Sequence, residues 1–192
     1  QHYFPELRRL LESRADPDEE LNEDEGQTAL AYAADYNCVE TARLLLKFGA
    51  DVNKIGWRFY SSTALICAAG RDAVEVATLL LDSGADVNQL NHLRDSPLTV
   101  AAKCSRTTAM VELLIERKAD LHYINRFHRP AHYIALSNYD CDVAGVLHRA
   151  MTLPAPPAPP APFESLLALL DEPLAAASRA SSASTAVEPA NG

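Results

Sequence analysis

The hydrophobic positions after Thr28 set the first unit of structure. Ala29, Leu30, Ala33 and Ala34 recur at helical spacing, so one face of a first helix is apolar. Alanine in that face lets a neighbouring helix approach closely. Asn37 is expected to stop this helix, because Asn tolerates the left-handed conformation of a tight turn. A second helix is predicted on Val39, Ala42, Leu45 and Leu46, ending at Gly49 as a left-handed cap. Asp51 and Asn53 then fall in a turn that carries the chain out and back to the next helix.

The same pattern returns along the chain. GADVN stands at 49–53 and again at 84–88, with weaker copies RADPD at 14–18 and KADLH at 118–122, at intervals of 35, 35 and 34 residues. A second phrase keeps step: TALAYAA from Thr28, TALICAA from Thr63, SPLTVAA from Ser96 and RPAHYIA from Arg129. A third, LLLKFGAD from Leu44, LLLDSGAD from Leu79 and LLIERKAD from Leu113, lies between them. Each unit is therefore helix, turn, helix, projecting loop. A unit this small exposes an apolar side to each neighbour and is stable only when stacked.

These phrases resemble the ankyrin repeat, whose period is about 33 residues and whose first helix opens on T-P-L-H-x-A. Pro97 and Pro130 stand at the motif's proline and His132 at its histidine. The resemblance covers about residues 5–150 and implies an all-α, ankyrin-repeat α-solenoid with β-hairpin-like finger loops and a concave groove. The expected domain, 1–150, divides into a half repeat at 1–22 and repeats at about 23–57, 58–91, 92–124 and 125–150. Leu7, Leu10 and Leu11 read as the second helix of the half repeat. With Gln1 as first residue, this suggests a piece of something longer. The resemblance also implies that His132 hydrogen-bonds backbone between repeats. Asn53 and Asn88 match a finger asparagine that braces the hairpin and in similar proteins is sometimes hydroxylated.

The departures from the motif matter. From Val52 to Thr63 is 11 residues where the family has about nine, so the first full finger, with KIGWRFY at 54–60, is lengthened. Arg94 and His128 replace the glycine of the hairpin, which puts the geometry of those fingers in doubt. Repeat three carries one extra residue around Cys104 to Thr108. Gly145 falls in the last second helix at a position expected to pack, so repeat four reads as the weak layer.

Beyond residue 150 the character changes. Residues 151–162 form a Pro/Ala-rich linker that favours extended polyproline geometry. Residues 163–173 are predicted as a short amphipathic helix on Phe163, Leu166, Leu167, Leu169 and Leu170, stopped before Pro173. Leu166 to Leu170 spells LxxLL, which resembles the receptor-box motif of transcriptional coregulators. Three readings compete for that segment: a helix that caps the open edge of repeat four, a linear motif for a partner, and a disordered leucine-rich accident. Residues 174–192 read as a disordered tail.

Charge sharpens the picture. The chain of 192 residues has a formal charge of -9, which argues against a uniformly basic nucleic-acid binder. The excess is local: residues 1–25 carry -6, residues 26–150 are neutral and residues 151–192 carry -3. Four cysteines at 38, 67, 104 and 141 show no paired zinc or redox spacing and suit a reduced, cytoplasmic or nuclear protein. No apolar run reaches the roughly 20 residues that span a bilayer.

No acid, base, nucleophile or metal set converges in the pattern, so no enzyme, cofactor or metal site is expected. Cys67 falls in an apolar first-helix slot and reads as core. The candidate chemistry is recognition, because aromatic and Arg side chains on the variable face of a solenoid are binding anchors. Finger one offers Trp57, Arg58, Phe59 and Tyr60, finger two His92 and Arg94, and finger three Tyr123, Arg126 and Phe127. By resemblance, the residues after each Ala-Ala face the groove and add Asp35, Tyr36, Gly70, Arg71 and Lys103. Five bases, Lys54, Arg58, Arg94, Arg126 and Arg129, meet one acid, Asp95, on this edge. The expected partner is another protein's acidic or phospho-acidic segment, held by a monomer. Two alternatives are a transcription or signalling regulator using the LxxLL helix, and a targeting fragment of a larger enzyme or channel.

Overall fold

The computed structural model describes residues 4–19, 26–56, 61–104 and 107–152, all within one compact unit, Gln1–Leu153. Among the described residues there are nine helices: α1 Phe4–Glu12, α2 Ala29–Asp35, α3 Val39–Lys47, α4 Ala64–Arg71, α5 Val74–Asp82, α6 Pro97–Cys104, α7 Ala109–Glu116, α8 Ala131–Ser137 and α9 Cys141–Thr152. The predicted tail helix at 163–173 lies outside the described residues.

From α2 onward the helices form antiparallel pairs stacked in two rows, α2, α4, α6 and α8 in one and α3, α5, α7 and α9 in the other. The rows are made of different side chains. The first helices bury Ala33, Ala34, Ala68, Ala69, Ala101, Ala102 and Ala135, so their backbones approach closely. Each second helix buries a leucine that is at most 1% exposed, Leu45, Leu80, Leu114 and Leu147, and α3 buries Leu44 as well. The alanine row packs more intimately than the leucine row, as smaller contact residues dictate.

Helix entry follows the threonines. Thr28 Oγ1 accepts from Ala31 N–H at 3.1 Å, Thr63 Oγ1 from Ile66 N–H at 3.3 Å and Ser96 Oγ from Thr99 N–H at 3.2 Å. Each of these caps is buried, so each satisfies an otherwise orphaned donor. In the fourth repeat Arg129 occupies this place in the phrase, and α8 has Pro130 as its N-cap residue, with no side-chain cap.

Helix exit is left-handed at the residue that begins each GADVN-like phrase: Arg14, Gly49, Gly84 and Lys118 have φ of 68°, 89°, 92° and 66°. Two of the four are not glycine, so position in the repeat rather than residue type imposes the conformation.

Several sequence expectations are corrected. Arg94 and His128 adopt the same left-handed geometry as Gly26, with φ of 58°, 57° and 60°. Their hairpins close through backbone bonds from Asn91 N–H to the Asp95 carbonyl and from Asn125 N–H to the Arg129 carbonyl. Asn supplies what the missing glycine would have: Asn91 Oδ1 accepts from Asp95 N–H, and Asn125 Oδ1 accepts from both Phe127 and Arg129 N–H.

The extra residue in repeat three is present, and repeat four has one too. Eleven residues separate Ala34 from Leu45 and Ala69 from Leu80, but twelve separate Ala102 from Leu114 and Ala135 from Leu147. Gly145 does not pack: it is exposed, and a Cβ there would meet nothing within 4 Å. Leu10 of the half repeat is 50% exposed while Leu11 is buried. Gly56, in the longer finger, is buried and lies so close to Gly26 that a Cβ would collide with the Gly26 carbonyl.

Candidate protein-binding cleft and fingers

The fingers stand on a repeating hydrogen-bond ladder. Within each, an aspartate carboxylate accepts from the N–H two residues on: Asp16 from Asp18, Asp51 from Asn53, Asp86 from Asn88 and Asp120 from His122, all at 2.9 Å. That second residue then reaches the next repeat. Asp18 accepts from Asp51 N–H at 3.1 Å, Asn53 from Asp86 N–H at 2.8 Å and Asn88 from Asp120 N–H at 2.8 Å. Asn53 Nδ2 also donates to the Gly84 carbonyl at 3.3 Å. Asn53 and Asn88 thus join neighbouring fingers.

On the first-helix side these fingers and helices enclose a cleft of about 780 Å3. Tyr32 and Tyr36, one helical turn apart on α2, form one wall with ring centroids 4.6 Å apart. Tyr36 is 64% exposed. Arg71, Lys103 and Cys104 continue the lining from α4 and α6, and Asp95 enters from finger two.

The cleft's charges are partly spent internally. Arg71 Nε donates to Asp35 Oδ1 at 3.1 Å, joining repeats one and two. This hydrogen bond and the carboxylate's charge raise the Arg71 pKa further, so the guanidinium stays charged. Asp95 accepts from Asn125 Nδ2 at 3.1 Å, joining fingers two and three.

Cys67 packs against the core, as the sequence suggested, and also lines the cleft. It is half-buried on the wall, its Sγ accepting from Gln27 Nε2 at 3.8 Å. Burial first, and the Asp35 charge second, push the thiol up to about 12, against the opposing pull of Gln27 and Arg71. At neutral pH it is a protonated thiol and a poor nucleophile. Among the described residues no group of three or more His, Cys, Asp or Glu could hold a metal ion.

At the fingers, His92 is exposed, with its N–H donating to the Ser61 carbonyl at 3.4 Å. Arg94 is also exposed. Tyr123 is turned inward: it is half-buried and its hydroxyl donates to the Arg94 carbonyl at 2.8 Å, so it braces two fingers. Arg126 and Phe127 are exposed together, the guanidinium stacked on the ring at 4.7 Å. Arg129 stacks on Tyr133 at 5.6 Å. His132 does not make the expected backbone bond through Nδ1, which is buried without a hydrogen-bond partner. Trp57, Arg58, Phe59 and Tyr60 lie outside the described residues, as do Phe163, Leu166, Leu167, Leu169 and Leu170.

Sequence reasoning missed Tyr32, Cys104 and Tyr133. Tyr32 was within reach, because it precedes Tyr36 by four residues on a helix and must share its face.

Stacked helix hairpins, alanine-to-alanine first helices, threonine caps and fingers joined by an Asp/Asn ladder define an α-solenoid of short repeats. The ankyrin-repeat family model matches residues 2–91 as three copies. The same helix pair, finger brace and packing recur beyond that stretch in α6 to α9, and the chain is an ankyrin-repeat protein. No curated protein matches it in sequence.

Proposed function

We propose that this protein is a non-enzymatic adaptor or scaffold whose cleft and finger edge hold an acidic segment of another protein. Ankyrin repeats are protein-interaction modules, and what carries the assignment to this face is the cleft of about 780 Å3 with the exposed Tyr32 and Tyr36 on its wall. Aromatic side chains on a concave, ordered wall are the anchors around which interfaces are built. Arg94, Arg126 and Arg129 stand exposed on fingers two and three and supply the charge that an acidic segment would meet.

The four cysteines are free thiols, which supports placement in the reducing cytoplasm or nucleus. Among the described residues no helix is long and apolar enough to cross a membrane.

The test is affinity capture with the wild type beside a Tyr36→Ala, Lys103→Glu double variant, each checked by circular dichroism and melting. Partners held by the wild type are expected to be lost by a variant whose melting is unchanged. Equal capture by both would remove the cleft from the function.

A further inference from the structure

The third finger holds a recess of about 220 Å3 lined by Phe127, His128, Arg129, Pro130, His132 and Tyr133. Four features distinguish it from the rest of the edge. Its lining contains no carboxylate. Arg129, in the lining, has its guanidinium over the Tyr133 ring at 5.6 Å, and Arg126, outside the lining, has its guanidinium over the ring of the lining residue Phe127 at 4.7 Å. A guanidinium carries its N–H donors in its plane, where they match the paired oxygens of an oxyanion. Neither guanidinium forms an ion pair among the described residues, unlike Arg71 and Arg117, which are held by Asp35 and Asp82.

The fourth feature is polar and buried. Nδ1 of His132, part of the lining, has no hydrogen-bond partner. A buried polar atom without a partner costs stability unless something satisfies it. An oxyanion in the recess would bring oxygen to that nitrogen, as an N–H, only with a shift of the wall that covers it.

We propose that this recess binds a phosphomonoester, the phosphorylated side chain of a partner segment. Arg129 in the lining and Arg126 against the lining residue Phe127 offer two charges, which match a dianion better than a single carboxylate, and the rings of Phe127 and Tyr133 supply contact for the side chain that bears it. The assignment rests on the reading that the finger edge meets a partner protein, and it names the group read there.

The experiment is a titration of the full chain with phenyl phosphate, inorganic phosphate and benzoate, followed by nuclear magnetic resonance at the third finger. Phenyl phosphate is expected to give saturable shifts at His128, Arg129 and His132, with inorganic phosphate moving the same residues more weakly. Benzoate should bind about ten-fold more weakly than phenyl phosphate, because it offers one charge to two guanidiniums. Arg129→Gln should weaken phenyl phosphate about ten-fold, with Arg129→Lys between the two, since Lys keeps the charge but loses the fork.

If Arg129→Gln disturbs the spectrum of α8, Arg126→Gln on the exposed tip answers the same question. Benzoate binding as tightly as phenyl phosphate, shifts scattered over surface Lys and Arg, or an affinity untouched by either Gln variant would overturn the proposal. Partner capture through Tyr36 and Lys103 is a separate readout. Should that persist while phenyl phosphate fails, the phosphate pocket falls and the interaction module stands.

Discussion

The base of the fingers and their tips lie a few residues apart along the chain, yet they are built on opposite rules. At the base, every repeat spends an aspartate on its own turn and an Asp or Asn on the next repeat, from Asp16 and Asp18 through Asp86 and Asn88. These groups are satisfied by the protein itself. At the tip of finger three, Arg126, Phe127 and Arg129 are exposed, and the two guanidiniums lie over aromatic rings instead of beside carboxylates. The cleft lies between these extremes: Arg71 is tied to Asp35, whereas Tyr36 is largely open. Hydrogen bonds that close within a repeat protein fix the spacing of its units. Groups left open at the ends of the same loops are what a partner can use.

The contrast is broken most severely at Gly56. A methyl group there meets the Gly26 carbonyl, which is backbone and cannot swing aside. Gly56→Ala should therefore destabilise the stack by about 2 kcal/mol or more, as overpacking does, read as a lower urea midpoint. An unchanged midpoint would mean that finger one moves freely against repeat one. Next in size is Asn53→Ala, which leaves Asp86 N–H and the Gly84 carbonyl without their partner. The ladder is exposed, so about 1 kcal/mol is expected, with partner capture preserved once the protein is folded. A loss of capture at full stability would place the function at the base instead of the tips.

The period and the helix-turn-helix unit were legible because they rest on residue types with one dominant physical use. Alanines at helical spacing, a threonine before them and a glycine after the leucines each specify backbone geometry directly. Arg14, Lys118, Arg94 and His128 show where that reading stops. They take left-handed conformations that their side chains disfavour, held there by neighbours such as Asn91 and Asn125 that are distant from the usual motif positions.

The site was less legible for a related reason. Exposure at one finger depends on what the next finger donates, so Tyr123 looks like Phe127 in sequence but is bonded to the Arg94 carbonyl. The pairing of Arg71 with Asp35 crosses 36 positions, and the sequence reading placed both on the groove without joining them.

Cys67 tests the cleft wall by pH. Its pKa is raised from 9.0 in the unfolded reference to about 12, so the unfolded chain loses this proton first as pH rises. The contribution is fully present below about pH 9 and is lost as pH climbs from 9.0 toward 12. Cys67→Val should remove that share of the alkaline loss, visible as a shallower fall of the variant's urea midpoint than of the wild type's as pH rises from 9.0 toward 12. At pH 7.5, iodoacetamide should modify the exposed Cys38, Cys104 and Cys141 before Cys67. Early loss of Cys67 would show that the wall opens in the free protein.

The smallest effect on stability, and the most discriminating for the partner, belongs to the Asp35 and Arg71 pair. The arginine is 63% exposed, so water screens the pair, and removing either member should change stability by less than about 1 kcal/mol. Binding should respond with opposite signs. Arg71→Gln leaves Asp35 uncompensated in the cleft and should weaken an acidic segment by about three-fold, whereas Asp35→Asn frees a cation and should strengthen it by a similar factor. Both changes should shrink when salt is raised from 50 to about 300 mM, where the screening length falls below 10 Å. The reverse order, with Asp35→Asn the weaker binder, would mean that the partner brings a basic group to the cleft and that the acidic segment belongs at the fingers alone.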